Sequence, residues 1–245
     1  MYEIDSIGPV ARISFARGKA RNAIPIDQWD ALREAVETVG ASDARVLILR
    51  STTRNIFCAG ADIGDLSSLQ ERPAERSRLR HLMHGAIEAL AALPIATIAA
   101  IDGGCYGAGV AIVLACDIRI AGAKAAFGIT PARIGILYPT TDTARLKRLV
   151  GEGQAARLLY SAMTVDGAEA LAMGLVEQAT RDAESAAMAL AEQIAANAPA
   201  SIKGLKRIIA GAEDGGQMFD DAFGGTDFAE GAAAFRERRK PEFRQ

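Results

Sequence analysis

The chain has 245 residues, half of them apolar, and 28 basic against 30 acidic side chains give a net charge of −2. This near-neutral balance favours neither nucleic acid nor an anionic membrane surface as a partner. No apolar run reaches the roughly 18 residues of a membrane span, and the N-terminal segment lacks the features of a signal peptide. Three cysteines, an odd number without a CxxC pair, indicate a reducing compartment, so we expect a cytoplasmic protein.

Strand and helix patterns alternate through the first part of the chain. In chain order they predict a strand at Val10–Phe15, a helix after Pro25, a strand at 46–49, an exposed charged stretch at 70–80, a helix that stops at Pro94, a strand at 95–101 and an apolar helix at 110–118. Buried strands followed by glycine loops and helices are typical of an α/β fold with parallel strands covered on both faces.

Strand signals fade after Gly151. Helical patterns follow at 154–162, 166–173, 183–196 and 202–212, and a glycine-bearing segment at 211–216 has no clear pattern. We place a soft boundary near residue 190, which divides the chain into a core of residues 1–190 and a helical C-terminal region of residues 191–245.

The segment FCAGAD, residues 57–62, follows a buried strand and precedes a helical pattern. Its glycine allows a ligand to approach the backbone closely. Amide N–H groups at a helix start have no partner within the helix and can hold a developing negative charge. The alternative is an ordinary turn between a strand and a helix, with Asp62 as the helix cap.

The segment GGCYGAG, residues 103–109, again separates a buried strand from an apolar helix. A dinucleotide-binding loop is a competing interpretation, but the GxGxxG spacing is incomplete because Ile112 occupies its third position. Two such loops at two strand ends could aim one N–H each at a single thioester oxygen. Loss of one donor from an oxyanion hole raises a barrier by about 3 kcal/mol.

Five segments resemble the crotonase (enoyl-CoA hydratase/isomerase) superfamily. They are ARNAI at 20–24, FCAGADI at 57–63, DGGCYGAGVAIVLACDIRIA at 102–121, AFGITPARIGI at 126–136 and DFAEGAAAFRERRKPEF at 227–243. They cover nearly the whole chain, in order and at the family spacing. The resemblance implies a spiral of ββα units with a C-terminal helical trimerisation region and assembly into trimers or hexamers. It also implies an acyl-CoA thioester as substrate. No metal or cofactor is expected, because coenzyme A is part of the substrate.

Matched to the family segment by segment, the chain has oxyanion donors at the backbone N–H groups of Ala61 and Ala108. The carbonyl of Ala59 matches the position that binds the adenine amino group of coenzyme A. The same substrate loop continues through Asp62, Ile63 and Gly64. Lys19 precedes the NAI box, where it either meets the phosphates of coenzyme A or is a solvated lysine, and Lys240 of a neighbouring subunit would also approach the coenzyme.

Both catalytic glutamates of the family's hydratases are absent. Ala111 occupies the first of these positions and Pro131 the second. Pro131 is therefore expected to contact the substrate without taking part in proton transfer. Neither side chain can transfer a proton, and addition of water to a double bond needs an acid and a base within reach. The sequence therefore argues against ordinary enoyl-CoA hydration.

The segment that holds Pro131 resembles the TPxxxGxxY pattern of methylmalonyl-CoA decarboxylase, through Thr130, Pro131, Gly135 and Tyr138. One departure is alanine rather than histidine at position 61. Loss of CO2 from a malonyl-type thioester gives the enolate without deprotonation of a carbon. The Tyr138 hydroxyl would orient the leaving carboxylate by a hydrogen bond. The alternative is that Tyr138 is an aromatic wall of the pocket.

Asp142 is the nearest carboxylate in this segment. It either acts as a base, as an aspartate of this loop does in some isomerases and dehalogenases of the superfamily, or caps a helix over 143–150. His81 and His84 supply only two metal ligands, too few for a closed site, and Cys58 is expected to be a core thiol.

Three functions therefore remain open. The first is an acyl-CoA lyase that decarboxylates a malonyl-type thioester, and the second is a hydratase or isomerase that uses Asp142. The third is a non-catalytic scaffold that binds coenzyme A.

Overall fold

Two β-sheets flanked by helices form the computed structural model, which describes residues 1–243. The strands are β1 Tyr2–Ile7, β2 Val10–Phe15, β3 Val46–Ser51, β4 Ile56–Cys58, β5 Ala96–Ile101, β6 Gly104–Tyr106, β7 Ile118–Ala121, β8 Ala126–Gly128, β9 Thr164–Asp166 and β10 Gln178–Ala179. The helices are α1 Gln28–Gly40, α2 Ile63–Ser68, α3 Pro73–Ala91, α4 Ala108–Ala115, α5 Thr140–Ser161, α6 Gly167–Ala172, α7 Ala183–Ala195, α8 Pro199–Ile209, α9 Gly215–Ala222 and α10 Thr226–Glu237.

In each pair of consecutive strands from β3 to β8, the first strand belongs to the larger sheet and the second to the smaller sheet. The larger sheet has the order β1-β2-β3-β5-β7-β10 and the smaller the order β4-β6-β8-β9. Thus β3, β5 and β7 each lie in the larger sheet, and β4, β6 and β8, the strands that follow them, lie side by side in the smaller one. A helix follows each pair. This is the predicted spiral of ββα units, and the α/β fold class is confirmed.

Alternation along the strands of the larger sheet separates two apolar layers. Leu47 and Leu49 of β3 face the main core, which also receives α1, α3 and α4. Val46 and Ile48 point to the opposite face, where α7 packs. The side of α7 that meets the sheet consists of alanines at Ala183, Ala187, Ala191 and Ala195. These small side chains let the helix axis lie close to the strands, so both faces of the sheet are covered.

The predicted boundary near residue 190 lies inside α7, which packs on the sheet along its whole length. The helices after it bury little: α8 and α9 have no fully buried residue and α10 has only Ala234. The change of environment therefore follows Ala195. A trimerisation role for the C-terminal region stays a prediction, and its last two residues lie outside the described part.

Several local predictions differ from the structure in an informative way. The charged stretch at 70–80 is exposed as expected, but it is already helical from Pro73 onward. The two helical patterns around residue 151 are two helices within α5 that meet at a kink at Gly151, where φ is 76° and ψ is 168°. The patternless segment at 211–216 runs into α9. Within residues 1–243 no helix has the length and apolar character to span a membrane.

Candidate active site

The two glycine loops meet at one end of the smaller sheet. Strands β4 and β6 pair in parallel, so the loops that follow them leave from the same edge. Gly60 has φ +98°, and a Cβ there would lie 2.9 Å from the carbonyl oxygen of Tyr106 and 3.4 Å from the amide nitrogen of Ala108. Only a residue without a side chain allows this approach at that backbone conformation. The loops are therefore in direct contact.

Within residues 1–243, the backbone amides of Ala61 and Ala108 both lack a main-chain acceptor. Ala108 is the first residue of α4, where an amide has no carbonyl one turn earlier to bind. Beside Ala61, the amide of Ile24 donates to the Gly60 carbonyl at 2.8 Å, and the amide of Asp62 donates to the Ile24 carbonyl at 2.9 Å. This parallel bridge directs the N–H of Ala61 away from Ile24. Among residues 1–243 no backbone carbonyl accepts from it.

Asn22 fixes the NAI box against the first loop, a role that the motif match did not reveal. Its side chain is buried, and its amide donates to the Ser51 hydroxyl at 2.8 Å and to the Phe57 carbonyl at 2.9 Å. Its carbonyl oxygen accepts from the Arg17 amide at 2.8 Å and from the Thr53 hydroxyl at 3.1 Å. All four hydrogen-bonding positions of the side chain are used.

Asp62 caps the helix that follows the first loop. Its side chain accepts from the Gly64 amide at 3.0 Å and from the Arg17 guanidinium at 3.0 Å. The hydrogen bond from Arg17 lowers the pKa of this carboxyl below its usual value, although Asp62 is partly desolvated. Thus Asp62 is the cap of α2, and Arg17, which the sequence did not single out, holds its carboxylate.

The other predicted substrate-binding residues lie at the surface of this loop. Ala59 is partly buried and its amide donates to the Arg21 carbonyl at 3.0 Å. Ile63 and Gly64 are exposed in the first turn of α2, and Lys19 is exposed in a 3-10 helix at Gly18–Ala20. The structure brings Ala59, Ile63 and Gly64 together but shows no ion pair of Lys19 with any described residue.

A cavity of ≈ 680 Å³ opens beside the loop, between the NAI box and the start of α3. Three guanidinium groups and three carboxylates contribute to its wall: Arg17, Arg72, Arg78, Asp27, Asp65 and Glu75. Asp65 also accepts from the Ile26 amide at 2.8 Å, which ties α2 to the NAI box. The wall therefore carries equal numbers of basic and acidic side chains, and two of the guanidinium groups already have carboxylate partners, Asp62 for Arg17 and Glu75 for Arg78.

Tyr138 reaches the second loop. Its hydroxyl donates to the Gly107 carbonyl at 3.3 Å, and Gly107 precedes Ala108. The ring is partly buried against the main core. Burial, and then the negative charge of Asp142, raise the pKa of the phenol well above its usual value. Tyr138 is therefore a neutral hydrogen-bond donor beside one of the two free amides.

Asp142 lies inside α5 and is buried, with 3% of its surface exposed. The expected cap role is wrong, because the helix begins at Thr140, the cap position is Pro139, and Asp142 accepts no backbone amide there. Its observed partner is the guanidinium of Arg145 at 3.4 Å. Burial raises the pKa of Asp142 above the usual aspartate value and outweighs the opposite effect of Arg145.

The remaining predicted positions lie elsewhere or carry no titratable group. Ala111 is buried on α4, and Pro131 opens a 3-10 helix at Pro131–Ile134. Lys240 is exposed near the end of the described chain, where Arg45 donates to the Phe243 carbonyl.

Within residues 1–243, the cysteine and histidine side chains form no metal site. Cys58 is buried, and burial raises its pKa to about 12, so the prediction of a core thiol is confirmed. Cys105 and Cys116 are also buried and free. In the described part of the chain no three His, Cys, Asp or Glu side chains form a group that could hold a metal ion.

The same elements occur in known proteins. A sequence profile for the family described as enoyl-CoA hydratase/isomerase matches residues 6–245. The chain belongs to the enoyl-CoA hydratase/isomerase family. It is an acyl-CoA enzyme of the crotonase superfamily, as the five sequence segments indicated.

Individual relatives match over most of their length. Enoyl-CoA hydratase domain-containing protein 2, mitochondrial, from Bos taurus is 34% identical over 96% of this chain and 84% of its own. An enoyl-CoA hydratase/isomerase family protein from Hyphomonas neptunium has a structure with a TM-score of 0.95 at 30% identity, covering 99% and 97% of the two chains. An enoyl-CoA hydratase from Bacillus anthracis gives 0.91 at 30% identity, covering 99% and 98%.

Proposed function

We propose that this family member stabilises the enolate of an acyl-CoA thioester and forms that enolate by decarboxylation of a malonyl-type substrate. The proposal depends on free hydrogen-bond donors that occur together with the absence of both hydratase glutamates. Two unpaired amides, of Ala61 and Ala108, belong to loops in contact, and the Tyr138 hydroxyl lies beside the second loop. At the same time Ala111 and Pro131 occupy the positions of the two hydratase glutamates.

In this reaction the bond between the α-carbon and the carboxylate breaks, and CO2 leaves. The electron pair of that bond enters the thioester and places a negative charge on the thioester oxygen. The N–H groups of Ala61 and Ala108 stabilise this charge. Tyr138, kept neutral by its raised pKa, donates to the substrate carboxylate before the bond breaks. The α-carbon then accepts one proton to give the product thioester.

Coenzyme A would bind along the first loop, with its adenine amino group at the Ala59 carbonyl. Ile63, Gly64 and the Asp62 cap shape that loop, while the exposed Lys19 would meet phosphates. Pro131 would border the acyl group. Decarboxylation of a malonyl-type thioester requires donors to the oxyanion rather than a resident cofactor, so coenzyme A enters only as part of the substrate.

Assembly and compartment are part of the same proposal. We infer a homo-trimer or hexamer, in which Lys240 of a neighbouring subunit approaches coenzyme A. Exposed apolar side chains on α8, α9 and α10 support such an assembly. We also propose a cytoplasmic location, which the buried, unpaired thiols support because such thiols are typical of a reducing compartment.

A second candidate is an enoyl-CoA hydratase or isomerase that uses Asp142 for proton transfer. The buried position and raised pKa of Asp142 favour it, since a general acid or base works best with a pKa near the working pH. The names of the relatives agree with this candidate. The non-catalytic scaffold for coenzyme A has no specific observation in its favour, and steady turnover of any acyl-CoA by pure protein would exclude it.

The deciding experiment compares malonyl-, methylmalonyl- and crotonyl-CoA as substrates of the pure protein. We expect CO2 release from a malonyl-type thioester. Crotonyl-CoA, followed by loss of its enoyl absorbance, should be hydrated at least roughly 100-fold more slowly than by a hydratase with both glutamates. Asp142→Asn tests the second candidate in the same assays. Rapid hydration that this variant abolishes, without CO2 release by the wild type, would replace decarboxylation by Asp142 chemistry.

A further inference from the structure

A second cavity, of ≈ 320 Å³, lies outside the carboxyl end of the larger sheet. Its walls come from the ends of parallel strands and from the segments that follow them: the end of β3 with the segment up to β4, the end of β5, the turn after β7, and the segment from β10 into the first turn of α7. Ligands of parallel sheets bind outside the carboxyl ends of the strands. The volume is at the lower end of the range for small-molecule sites.

This cavity is separate from the proposed reaction centre. Asn55 and Ile56, at the start of β4, and Asp102, two residues before β6, line it. The two donor loops follow the other ends of the same strands, each of which has three residues. Three residues of a strand span roughly 10 Å. A small ligand in the cavity would therefore not reach the amides of Ala61 and Ala108.

The acidic side chains in the walls of this cavity already have partners within the protein. Two acidic side chains, Asp102 and Glu184, stand against four basic ones: Arg50, Arg54, Lys124 and Arg181. Glu184 forms an ion pair with Arg50. Asp102 accepts hydrogen bonds from the amides of Ala183 at 3.1 Å and Glu184 at 3.2 Å, the first two residues of α7. The walls therefore carry an excess of positive charge.

The three remaining cations have no carboxylate partner. Among residues 1–243, no acidic side chain forms an ion pair with Arg54, Lys124 or Arg181, and all three residues are exposed. They belong to three separate segments, which follow β3, β7 and β10, so the fold brings them to one cavity. Like charges that lie close together repel each other, and an anion bound between them would offset that repulsion.

The other lining residues indicate which class of anion fits. None of the described lining residues is aromatic, and the apolar ones are Ile56, Ala100 and Ala123. The cavity thus offers no ring on which a nucleobase could stack. A single phosphate monoester has a charge of about −1.5 to −2 near pH 7, which is less than the charge of three cations. Two linked phosphate groups match the charge better and suit the volume.

We propose that this cavity binds a small polyphosphate anion through Arg54, Lys124 and Arg181. The two guanidinium groups can each form paired hydrogen bonds with phosphate oxygens, and the ammonium group acts as a compact charge. The inference goes beyond the proposed function and does not depend on which reaction the enolate site performs. Free pyrophosphate and the diphosphate group of a larger molecule share this chemistry.

Calorimetric titration of the full chain with inorganic pyrophosphate, in magnesium-free buffer of low ionic strength, tests the site. We expect saturable binding of one ion per chain, with an affinity that falls as NaCl is added, because salt screens exposed charges. Orthophosphate should bind more weakly, since it carries less charge. Titration with ADP distinguishes the two sources: binding as tight as that of pyrophosphate would assign the site to a diphosphate group on a larger molecule, and weaker binding would assign it to the free ion.

Three single variants test the assignment of residues. Arg54→Gln, Lys124→Gln and Arg181→Gln should each weaken pyrophosphate binding about tenfold, the low end for a hydrogen bond between charged groups. Arg148→Gln is the matched control, because it removes the same charge from an exposed arginine of α5 that lines none of the described cavities and has no ion pair among residues 1–243. Its affinity for pyrophosphate should equal that of the wild type.

The affinity for propionyl-CoA separates this site from the substrate site. It should stay unchanged in all three variants, because the cavity and the donor loops lie at opposite ends of β4 and β6. A parallel loss of propionyl-CoA affinity would make the cavity part of the substrate site and overturn the inference. Absence of saturable binding of both pyrophosphate and ADP, or an equal loss in Arg148→Gln, would also overturn it. Failure to release CO2 from malonyl-type thioesters would count against the proposed function alone.

Discussion

Gly60 lies directly against the start of α4, where a Cβ on Gly60 would be 3.4 Å from the amide nitrogen of Ala108 and 2.9 Å from the Tyr106 carbonyl oxygen. In the chain, α2, α3, β5 and β6 lie between Gly60 and Ala108. Their contact depends on the φ of +98° at Gly60. The close contact between the two loops therefore requires a residue without a side chain at position 60.

Gly60→Ala should damage both stability and catalysis. Strain at this backbone angle and the close carbonyl cost about 1–3 kcal/mol, which corresponds to a fall in Tm of roughly 2–12 °C for a chain of this size. Calorimetry measures this, with Gly153→Ala as the control, since a Cβ at Gly153 meets no atom within 4 Å. An unchanged Tm and rate in Gly60→Ala would contradict the tight contact.

Asn22→Ala should be among the most destabilising single changes near the site. It removes four hydrogen bonds and leaves the buried Phe57 carbonyl without this donor, at a cost of about 2–5 kcal/mol if unpaired groups cost 1–3 kcal/mol each. Asn55→Ala is the matched control, because Asn55 has a similar positive φ of 60° but is exposed. Equal losses of unfolding free energy in the two variants would show backbone strain alone to be responsible.

The sequence predicted the framework of this site because its signals are local. The buried strands before both loops are continuous apolar runs, and the glycines mark the turns, so the placement of the FCAGAD and GGCYGAG loops at strand ends was visible. Strands β4, β6 and β8 have three residues each, too few to show a period. Their parallel pairing, which brings the loops together, was implied only by the family resemblance.

Other parts of the site depend on contacts between distant residues. Arg145 and Glu88 are 57 positions apart, and nothing in the local pattern connects them. Aspartate is a common residue at helix caps. The helix nevertheless starts two residues before Asp142, and the carboxyl group of Asp142 is buried. Arg17 lies near Lys19 in the chain, and only the folded loop shows which of the two holds Asp62. Tertiary structure decides each of these roles.

We expect the molar mass in solution to be that of a trimer or hexamer. Large apolar side chains remain exposed on the C-terminal helices, among them Ile209 at 84% and Phe235 at 86%, and exposed apolar patches mark interaction surfaces. Light scattering at micromolar protein should give three or six times the 25.7 kDa of one chain. Ile209→Asp with Phe235→Asp should lower this mass, whereas Ile7→Asp on the edge strand β1 should not. A monomeric wild type would contradict the assembly.

Ala108→Pro removes the N–H group that we propose as the second oxyanion donor. Ala108 is the first residue of α4, a position that favours proline because its amide has no helical acceptor. Turnover should fall about 100- to 1000-fold. Circular dichroism and Tm must be measured alongside, because Gly107 has φ 50° and ψ −114°, outside the region that a residue before proline prefers. Ala108→Gly keeps the N–H and should keep most of the rate. A folded proline variant at full rate would remove Ala108 from the mechanism.

Tyr138→Phe separates the hydroxyl from the ring. In the free protein the hydroxyl donates to the Gly107 carbonyl at 3.3 Å, a long hydrogen bond that a substrate carboxylate can replace. A hydrogen bond to a charged group contributes about 1.5–3 kcal/mol, so decarboxylation should slow by roughly 10- to 150-fold at 1.4 kcal/mol per decade. The affinity for propionyl-CoA, which has no carboxylate on its acyl group, should barely change, because the hydroxyl has no partner there. Stopped-flow release of CO2 and calorimetric binding measure the two quantities. An undiminished rate would make Tyr138 a wall of the pocket, and equal losses of rate and affinity would show that the ring, displaced in the variant, supports the loop rather than the substrate.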